Sequence, residues 1–142
     1  MEAYLKIIGK GKTIELNEKH IVSLEYSVIT PDDSNARSVD VIYNLKVTGQ
    51  IIPEIGGSSG ETVLALDEWS RVQHGLDLYR IVEAGYTAEG YTVRKYNFNK
   101  GFVQDYYESY DNQSGTGTFT IEICQKKDHN AMVEIEGGFQ NE

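Results

Sequence analysis

The stretch Val39-Asp40-Val41-Ile42-Tyr43-Asn44-Leu45-Lys46-Val47-Thr48 decides the fold class of this sequence. Its odd positions are apolar and its even positions are mostly polar, which is the period of a strand with one buried and one solvated face. The pattern predicts a long strand over 38–52, ended by Pro53 and by the glycines of 56–60. One face of this strand is expected to be polar along most of its length.

The same alternation, interrupted by turn-forming residues, recurs along the rest of the chain. Further strands are predicted at 3–8, 20–29, 77–83, 91–98, 102–110, 116–125 and 132–135, with Gly101 as a bulge or bend. No β-α-β rhythm separates the strands, which favours an antiparallel sheet that closes, or nearly closes, into a barrel or sandwich. The predicted fold is mainly β, an antiparallel β-barrel forming one domain over 1–142, with a flexible tail at 137–142.

One short α-helix is predicted at 61–73. Ser58 precedes Glu61 by three residues, the spacing of a capping box that satisfies free amide groups at a helix start. A single apolar stripe follows, made of Val63, Leu66, Trp69 and Val72. Trp69 lies on this stripe and is therefore expected in the core.

Charge and hydropathy exclude two classes of partner. Thirteen Lys and Arg stand against 22 Asp and Glu in 142 residues, a formal net charge of −9, which would repel a nucleic-acid backbone. No apolar run approaches the roughly 20 residues that a bilayer crossing needs, so membrane insertion is not expected. The first residues lack the pattern of a signal peptide, so the chain is expected to fold in the cytoplasm.

The sequence predicts no catalytic, metal or cofactor site. His20, His74 and His129 have neither zincin nor zinc-finger spacing, and the single Cys124 has strand-like neighbours and no cationic cluster beside it. The glycine-rich segment 57–60 lacks the Lys-Ser/Thr ending of a phosphate-binding loop. We therefore expect a binding or assembly protein without a cofactor.

The order of motifs from 91 to 125 resembles the Hcp-like, TssD-type tube proteins of type VI secretion systems. The resemblance is carried by Tyr91-Thr-Val-Arg-Lys-Tyr96, by Asn97-Phe98-Asn-Lys-Gly-Phe102-Val103, by Asp105-Tyr106-Tyr107-Glu108-Ser109-Tyr110 and by Thr118-Phe119-Thr120-Ile121-Glu122-Ile123. Upstream, the polar loop at 31–37, the strand at 38–49 and the helix with Trp69 match that family's order of elements. The segments 1–19 and 53–60 are longer than the corresponding segments of that family.

The resemblance implies a structural protein without catalytic residues. Such a protein forms homo-hexameric rings that stack into a hollow tube, which a contracting sheath expels together with a spike and effector proteins. Expulsion with the apparatus would also provide secretion without a signal peptide. By position, Asp32, Asp33 and Arg37 match the extended loop that contacts a neighbouring ring. Residues expected to line the channel are Asp40, Asn44, Lys46, Thr118, Thr120 and Glu122.

Other readings of the sequence remain open. A tail tube or baseplate protein of a phage-like contractile injection system would share the same architecture. A ligand-binding β-barrel of the lipocalin or cupin type would differ in having an apolar cavity inside the barrel. An enzyme of unrecognised type would be revealed by turnover of a substrate.

Overall fold

The structure is a computed structural model that describes residues 1–30, 41–51 and 59–141. Its strands are β1 (Glu2–Gly9), β2 (Lys12–Leu16), β3 (Ile21–Ile29), β4 (Ile42–Ile51), β5 (Arg80–Ala88), β6 (Tyr91–Asp111), β7 (Thr116–Gln125) and β8 (Glu134–Asn141). Helix α1 (Ser59–Ser70) follows β4 in sequence, and a 3-10 helix (Lys127–Met132) links β7 to β8.

All eight strands belong to one antiparallel sheet, ordered β2-β1-β5-β6-β7-β4-β3, with β8 paired to β6. No ladder between described residues joins β2 to β3, so the sheet is open where a closed barrel would continue. The prediction of a mainly β, antiparallel fold with one short helix is confirmed, and the sheet stops short of closure.

Strand β6 connects the two halves of the sheet. Over 21 residues it pairs with β5 through its first half and with β7 through its second half. Gly101 marks the change of partner, because it lies opposite both Arg80 of β5 and Gln125 of β7. A Cβ at this position would lie 2.7 Å from the Val82 Cγ2. Only a glycine therefore fits where these strands converge.

The sequence predicts two strands around Gly101, at 91–98 and 102–110, and the structure joins them into one. The register of β6 shifts between Val103 and Asp105 against β7, and near Arg80 against β5. These irregularities increase the local twist without ending the strand. The predicted bend is therefore a change of partner within a continuous strand.

The core lies on the inner faces of both halves of the sheet. Its largest fully buried side chains include Trp69, Phe98 and Phe119. Helix α1 contributes Val63, Leu66 and Trp69, as its apolar stripe predicts. These bulky side chains fill the space that the described strands and α1 enclose.

Helix α1 ends three residues earlier than the predicted 61–73. Arg71 and Val72 donate backbone hydrogen bonds to residues three positions back, at 3.2 and 3.1 Å, which tightens the chain into a 3-10 turn. Gly75 then has a φ of 103°, a conformation that favours glycine. Ser58 of the predicted capping box lies outside the described residues.

The flexible tail predicted at 137–142 stays a prediction, and its described residues belong to a strand. Strand β8 continues to Asn141, and Gly137 pairs with Arg94 of β6. A Cβ at Gly137 would lie 3.0 Å from the backbone carbonyl oxygen of Val93 on β6. The glycine thus permits a close approach between strands, whereas the sequence alone suggested a loose segment.

Two other strands differ from the prediction for local reasons. Strand β2 (Lys12–Leu16) is missing from the prediction, because it is only five residues long and directly follows the glycines that end β1. In β3, a register shift between Ile21 and Ser23 displaces Val22, which is 62% exposed. Ile21 and Leu24, on either side of this shift, are both buried in the core.

A polar cluster attaches the segment after α1 to the sheet. Arg80 is buried, donates from Nε to Asp77 Oδ1 at 3.1 Å, and places its guanidinium carbon 5.1 Å from the centre of the Trp69 ring. The Trp69 indole in turn donates to the Leu78 carbonyl at 3.1 Å. A buried guanidinium is stable here because a carboxylate and an aromatic face both compensate its charge.

Replacing a core residue of α1 is expected to destabilise the fold far more than replacing its exposed neighbour. Leu66 is 0% exposed and Leu64 is 52% exposed on the same helix. Leu66→Ala should lower the free energy of unfolding by about 2–5 kcal/mol because it leaves a cavity. Leu64→Ala should change it by about 0.5 kcal/mol or less. Urea denaturation followed by tryptophan fluorescence measures both, and equal effects would contradict this packing of α1.

The Asp77–Arg80 pair should make stability depend on pH in the acid range. The hydrogen bond from Arg80 lowers the pKa of Asp77 below its ordinary value. A lowered folded-state pKa stabilises the fold above about pH 4, the unfolded value, and the stabilisation disappears as the pH falls further. Wild type should therefore be more stable than Asp77→Asn at pH 7, and the difference should shrink by pH 3. An unchanged difference at pH 3, measured by urea denaturation, would exclude this ionic contribution.

Candidate functional site: a polar face on four strands

The register of β4 against β7 brings the predicted channel residues onto one face of the sheet. Lys46 lies opposite Glu122, and Gln50 lies opposite Thr118. Directly opposite residues of antiparallel strands point to the same side, and side chains alternate along each strand. Asn44 and Thr120 fall on this side as well, in register with Cys124 and Thr48.

This face extends onto the strands at either side. Glu25 of β3 lies opposite Lys46, and Asp105 of β6 lies opposite Glu122. We define the polar face by the residues that these registers align: Ser23, Glu25, Ser27, Asn44, Lys46, Thr48, Gln50, Asp105, Tyr107, Ser109, Thr118, Thr120 and Glu122. The core, with Leu45, Val47 and Ile121, lies on the opposite side of the same strands.

Charged side chains form one row across the polar face, in the order Glu25, Lys46, Glu122 and Asp105. No ion pair between described residues involves Lys46. The row contains three carboxylates and one ammonium group, so its net charge is negative. It is therefore a solvated, acidic stripe across the strands.

A row of hydroxyl groups runs beside the charged row. The Thr48 and Thr120 hydroxyl oxygens lie 3.4 Å apart, and Tyr107 follows on β6. Thr120 is only 5% exposed and Asn44 8%, whereas Thr118 is exposed. Of the predicted channel residues that the structure describes, Thr118, Lys46 and Glu122 thus present the most surface.

The contributions of β3 and β6 were missed by sequence reasoning. In β3 the alternation of Ser23, Glu25 and Ser27 was visible, but no pattern shows which strand pairs with which. In β6 the register shift before Asp105 reverses the side to which the following residues point. A local pattern cannot reveal such a shift, because it is set by the partner strand.

Both sides of the polar face end in unpaired strand edges. Among described residues, β3 pairs only with β4, and the second half of β6 pairs only with β7. Strand β3 also exposes apolar side chains, with Val28 46% and Ile29 44% exposed, and its only charge is Glu25. A long edge with few charges, as in β3, is ready to pair with another chain.

The other predicted residues fall outside this description. Asp32, Asp33 and Arg37 of the predicted stacking loop, and Asp40 of the predicted channel lining, lie outside the described residues. Their roles stay predictions.

Cys124 lies opposite Asn44 and is 3% exposed. Burial, together with the nearby Glu122 carboxylate, raises the pKa of its thiol to about 11. The thiol is therefore protonated at neutral pH and poorly placed to react.

Residues 1–30, 41–51 and 59–141 contain no group of three His, Cys, Asp or Glu side chains arranged to hold a metal ion. They also contain no helix with the length and apolar character that a bilayer crossing requires.

No protein-family model and no curated protein matches the sequence. Among solved structures, Hcp1 from Flavobacterium johnsoniae is 16% identical, with 96% of this chain and 98% of that chain covered and a TM-score of 0.53. Hcp1 from the E. coli EAEC 042 pathovar is 14% identical, with 96% and 99% covered and a TM-score of 0.55. The anti-feeding prophage baseplate structure matches at 12% identity, with 95% and 92% covered and a TM-score of 0.52. The fold of this chain is therefore the Hcp-like fold.

Proposed function

We propose that this chain is a structural subunit of the inner tube of a type VI secretion or related contractile injection system. Six copies would form a ring, and rings would stack into a hollow tube that carries effectors. The observation that supports this most is the polar face, which spans four strands and ends on both sides in an unpaired edge.

The two edges suggest how a ring would close. Strand β3 lies at one side of the polar face and the second half of β6 at the other, so the edge of one copy can pair with the different edge of the next. Such heterologous contacts generate rings when the rotation between copies closes. Main-chain hydrogen bonds between edges supply affinity, and the exposed Val22 and Val28 of β3 would become covered.

Burial supports the assignment of the polar face to the lumen. The apolar side of these strands is occupied by the core and α1, so the polar face is the side left to contact water in the ring. Lys46, Thr118 and Glu122 would line the channel, with Asn44 and Thr120 beneath them and Asp40 beside them. Three carboxylates to one lysine in the charged row would make the lumen acidic.

The remaining contacts belong to the assembly. In this proposal Asp32, Asp33 and Arg37 lie in a loop that contacts the neighbouring ring, and the sheath and spike contact the finished tube. The subunit is assembled in the cytoplasm and leaves the cell through the contractile apparatus. Its role is mechanical, and no step requires a catalytic group or cofactor.

A second candidate is a tube or baseplate subunit of a phage-tail-like particle. The similarity to the anti-feeding prophage baseplate favours it, at a TM-score of 0.52 against 0.53 for Hcp1 from Flavobacterium johnsoniae. Release of the chain in intact sheathed particles, purified from culture medium and imaged by electron microscopy, would support this candidate. Release as free rings would support the secretion system.

The native mass of the purified protein tests ring formation. We expect light scattering to give a mass near six times 16.0 kDa, and negative-stain images to show rings with a central hole.

Replacing Val22 and Val28 of β3 by Lys should abolish the ring, because lysine on an edge strand opposes pairing. Leu64→Lys, a matched change at an exposed apolar residue of α1, should leave the ring intact.

Two results would contradict the proposal. A strict monomer of 16.0 kDa at high protein concentration would exclude the ring. Loss of the ring in Leu64→Lys but not in the β3 variant would place the contact between copies elsewhere.

The assignment of Asp33 and Arg37 to a stacking loop has its own test. It fails if Asp33→Arg combined with Arg37→Glu leaves ring stacking unchanged in negative-stain images.

A further inference from the structure

Tyrosine side chains connect β3 to the half of the sheet that contains β5 and the start of β6. The Tyr26 ring of β3 stacks on the Tyr96 ring of β6, with centroids 4.5 Å apart and planes inclined by 20°. The Tyr86 hydroxyl of β5 donates a hydrogen bond to the Leu24 backbone carbonyl of β3. We call these three tyrosines and this carbonyl the tyrosine clasp. No ladder between described residues joins β3 to β5 or β6.

The carbonyl in the clasp lies on the free edge of β3. Hydrogen-bonded and non-hydrogen-bonded pairs alternate along an antiparallel ladder. Gln50 donates its backbone N–H to the His20 carbonyl at 2.7 Å, so the ladder of β3 with β4 begins with a hydrogen-bonded pair. Counting past the extra residue Val22 leaves Leu24 in a non-hydrogen-bonded pair, and its carbonyl therefore points away from β4. The clasp occupies an acceptor that an edge strand otherwise leaves unsatisfied.

The packing of β3 on the core ends at the clasp. Tyr26 is the last residue of β3 that packs against the core, and residues 27–29 after it are exposed. Burial raises the pKa of both Tyr26 and Tyr86 above the ordinary tyrosine value, so the Tyr86 hydroxyl stays protonated and able to donate. The clasp therefore sets the direction in which the exposed end of β3 leaves the core.

A single hydroxyl group can change the balance between two arrangements of this strand. Leu24 is only 6% exposed, so without Tyr86 its carbonyl has no partner unless β3 moves away from β5 and admits water. The ladder with β4 is the only one that holds β3 among the described residues. An edge strand held on one side opens locally more readily than a central strand, which has a ladder on both sides.

We propose that the tyrosine clasp is a conformational switch of β3. When it is closed, β3 lies against β5 and presents its exposed end to a second copy of this chain. When it is open, the exposed end frays from β4 and no longer offers an ordered edge. The clasp is a property of the single chain, and only its effect on assembly rests on the proposed function.

Amide hydrogen exchange in the full chain, at a dilution at which it is monomeric, tests the clasp itself. Tyr86→Phe should speed exchange of the Glu25 and Ser27 amides, which face β4, about ten-fold, because one hydrogen bond no longer opposes fraying. Exchange in the central strand β7 should stay the same. Tyr26→Phe is the matched control, because it keeps the stacked ring and removes a hydroxyl that bonds to no described residue.

Light scattering of the same variants tests the effect of the clasp on assembly. Tyr86→Phe should raise the concentration at which half of the chains form rings by about two- to ten-fold, in inverse proportion to the closed fraction. Tyr26→Phe should leave this concentration unchanged.

Three results would overturn the switch. They are unchanged exchange of β3 in Tyr86→Phe, equal effects of Tyr86→Phe and Tyr26→Phe, and faster exchange with no change in ring formation. Absence of rings in the wild type would instead overturn the proposed function and the role of the clasp in assembly. The exchange of β3 in the monomer would still decide whether the clasp holds this strand.

Discussion

The fold depends on one constraint, the continuous pairing of the 21-residue strand β6. Within the described parts of the chain, β6 alone pairs with three partners: β5 and β8 flank its first half, and β7 pairs with its second half. Gly101 allows these partners to converge, because a side chain there would collide with Val82. Both halves of the sheet share this strand, so its change of partner at Gly101 sets their relative position. Helix α1 then fills the remaining apolar space with Trp69, Leu66 and Val63.

The same constraint leaves the polar face exposed and its edges unpaired. Strand β5 pairs with β6 only as far as Gly101, so the second half of β6 has one edge without a ladder among the described residues. The core occupies the other side of these strands, which leaves the row of Glu25, Lys46, Glu122 and Asp105 facing solvent. An accessible polar sheet between two open edges is what a subunit needs to become part of a larger barrel. In the proposed ring, the strand pairing that folds one chain would also leave the edges through which neighbouring chains join.

Much of this could be predicted from local sequence. The bounds of β7, Thr116–Gln125, and the buried stripe of α1 follow from their periodicity, because one face of each element must avoid water. Five predicted channel residues share one face because the alternation in β4 and β7 specifies sides. Local sequence could not supply the register shift in β6, the displacement of Val22, or the extension of β8 to Asn141. Each of these depends on a partner strand distant in sequence.

Amide hydrogen exchange in the assembled and dissociated protein tests the central claim most directly, namely that the edges of β3 and of the second half of β6 join neighbouring copies. Strand β2 provides an internal reference, because it also has an edge that pairs with no described residue. The account predicts that amides of 21–29 and 102–110 become protected on assembly while those of 12–16 do not. Unchanged exchange in both β3 and β6, or equal protection of β2, would contradict it.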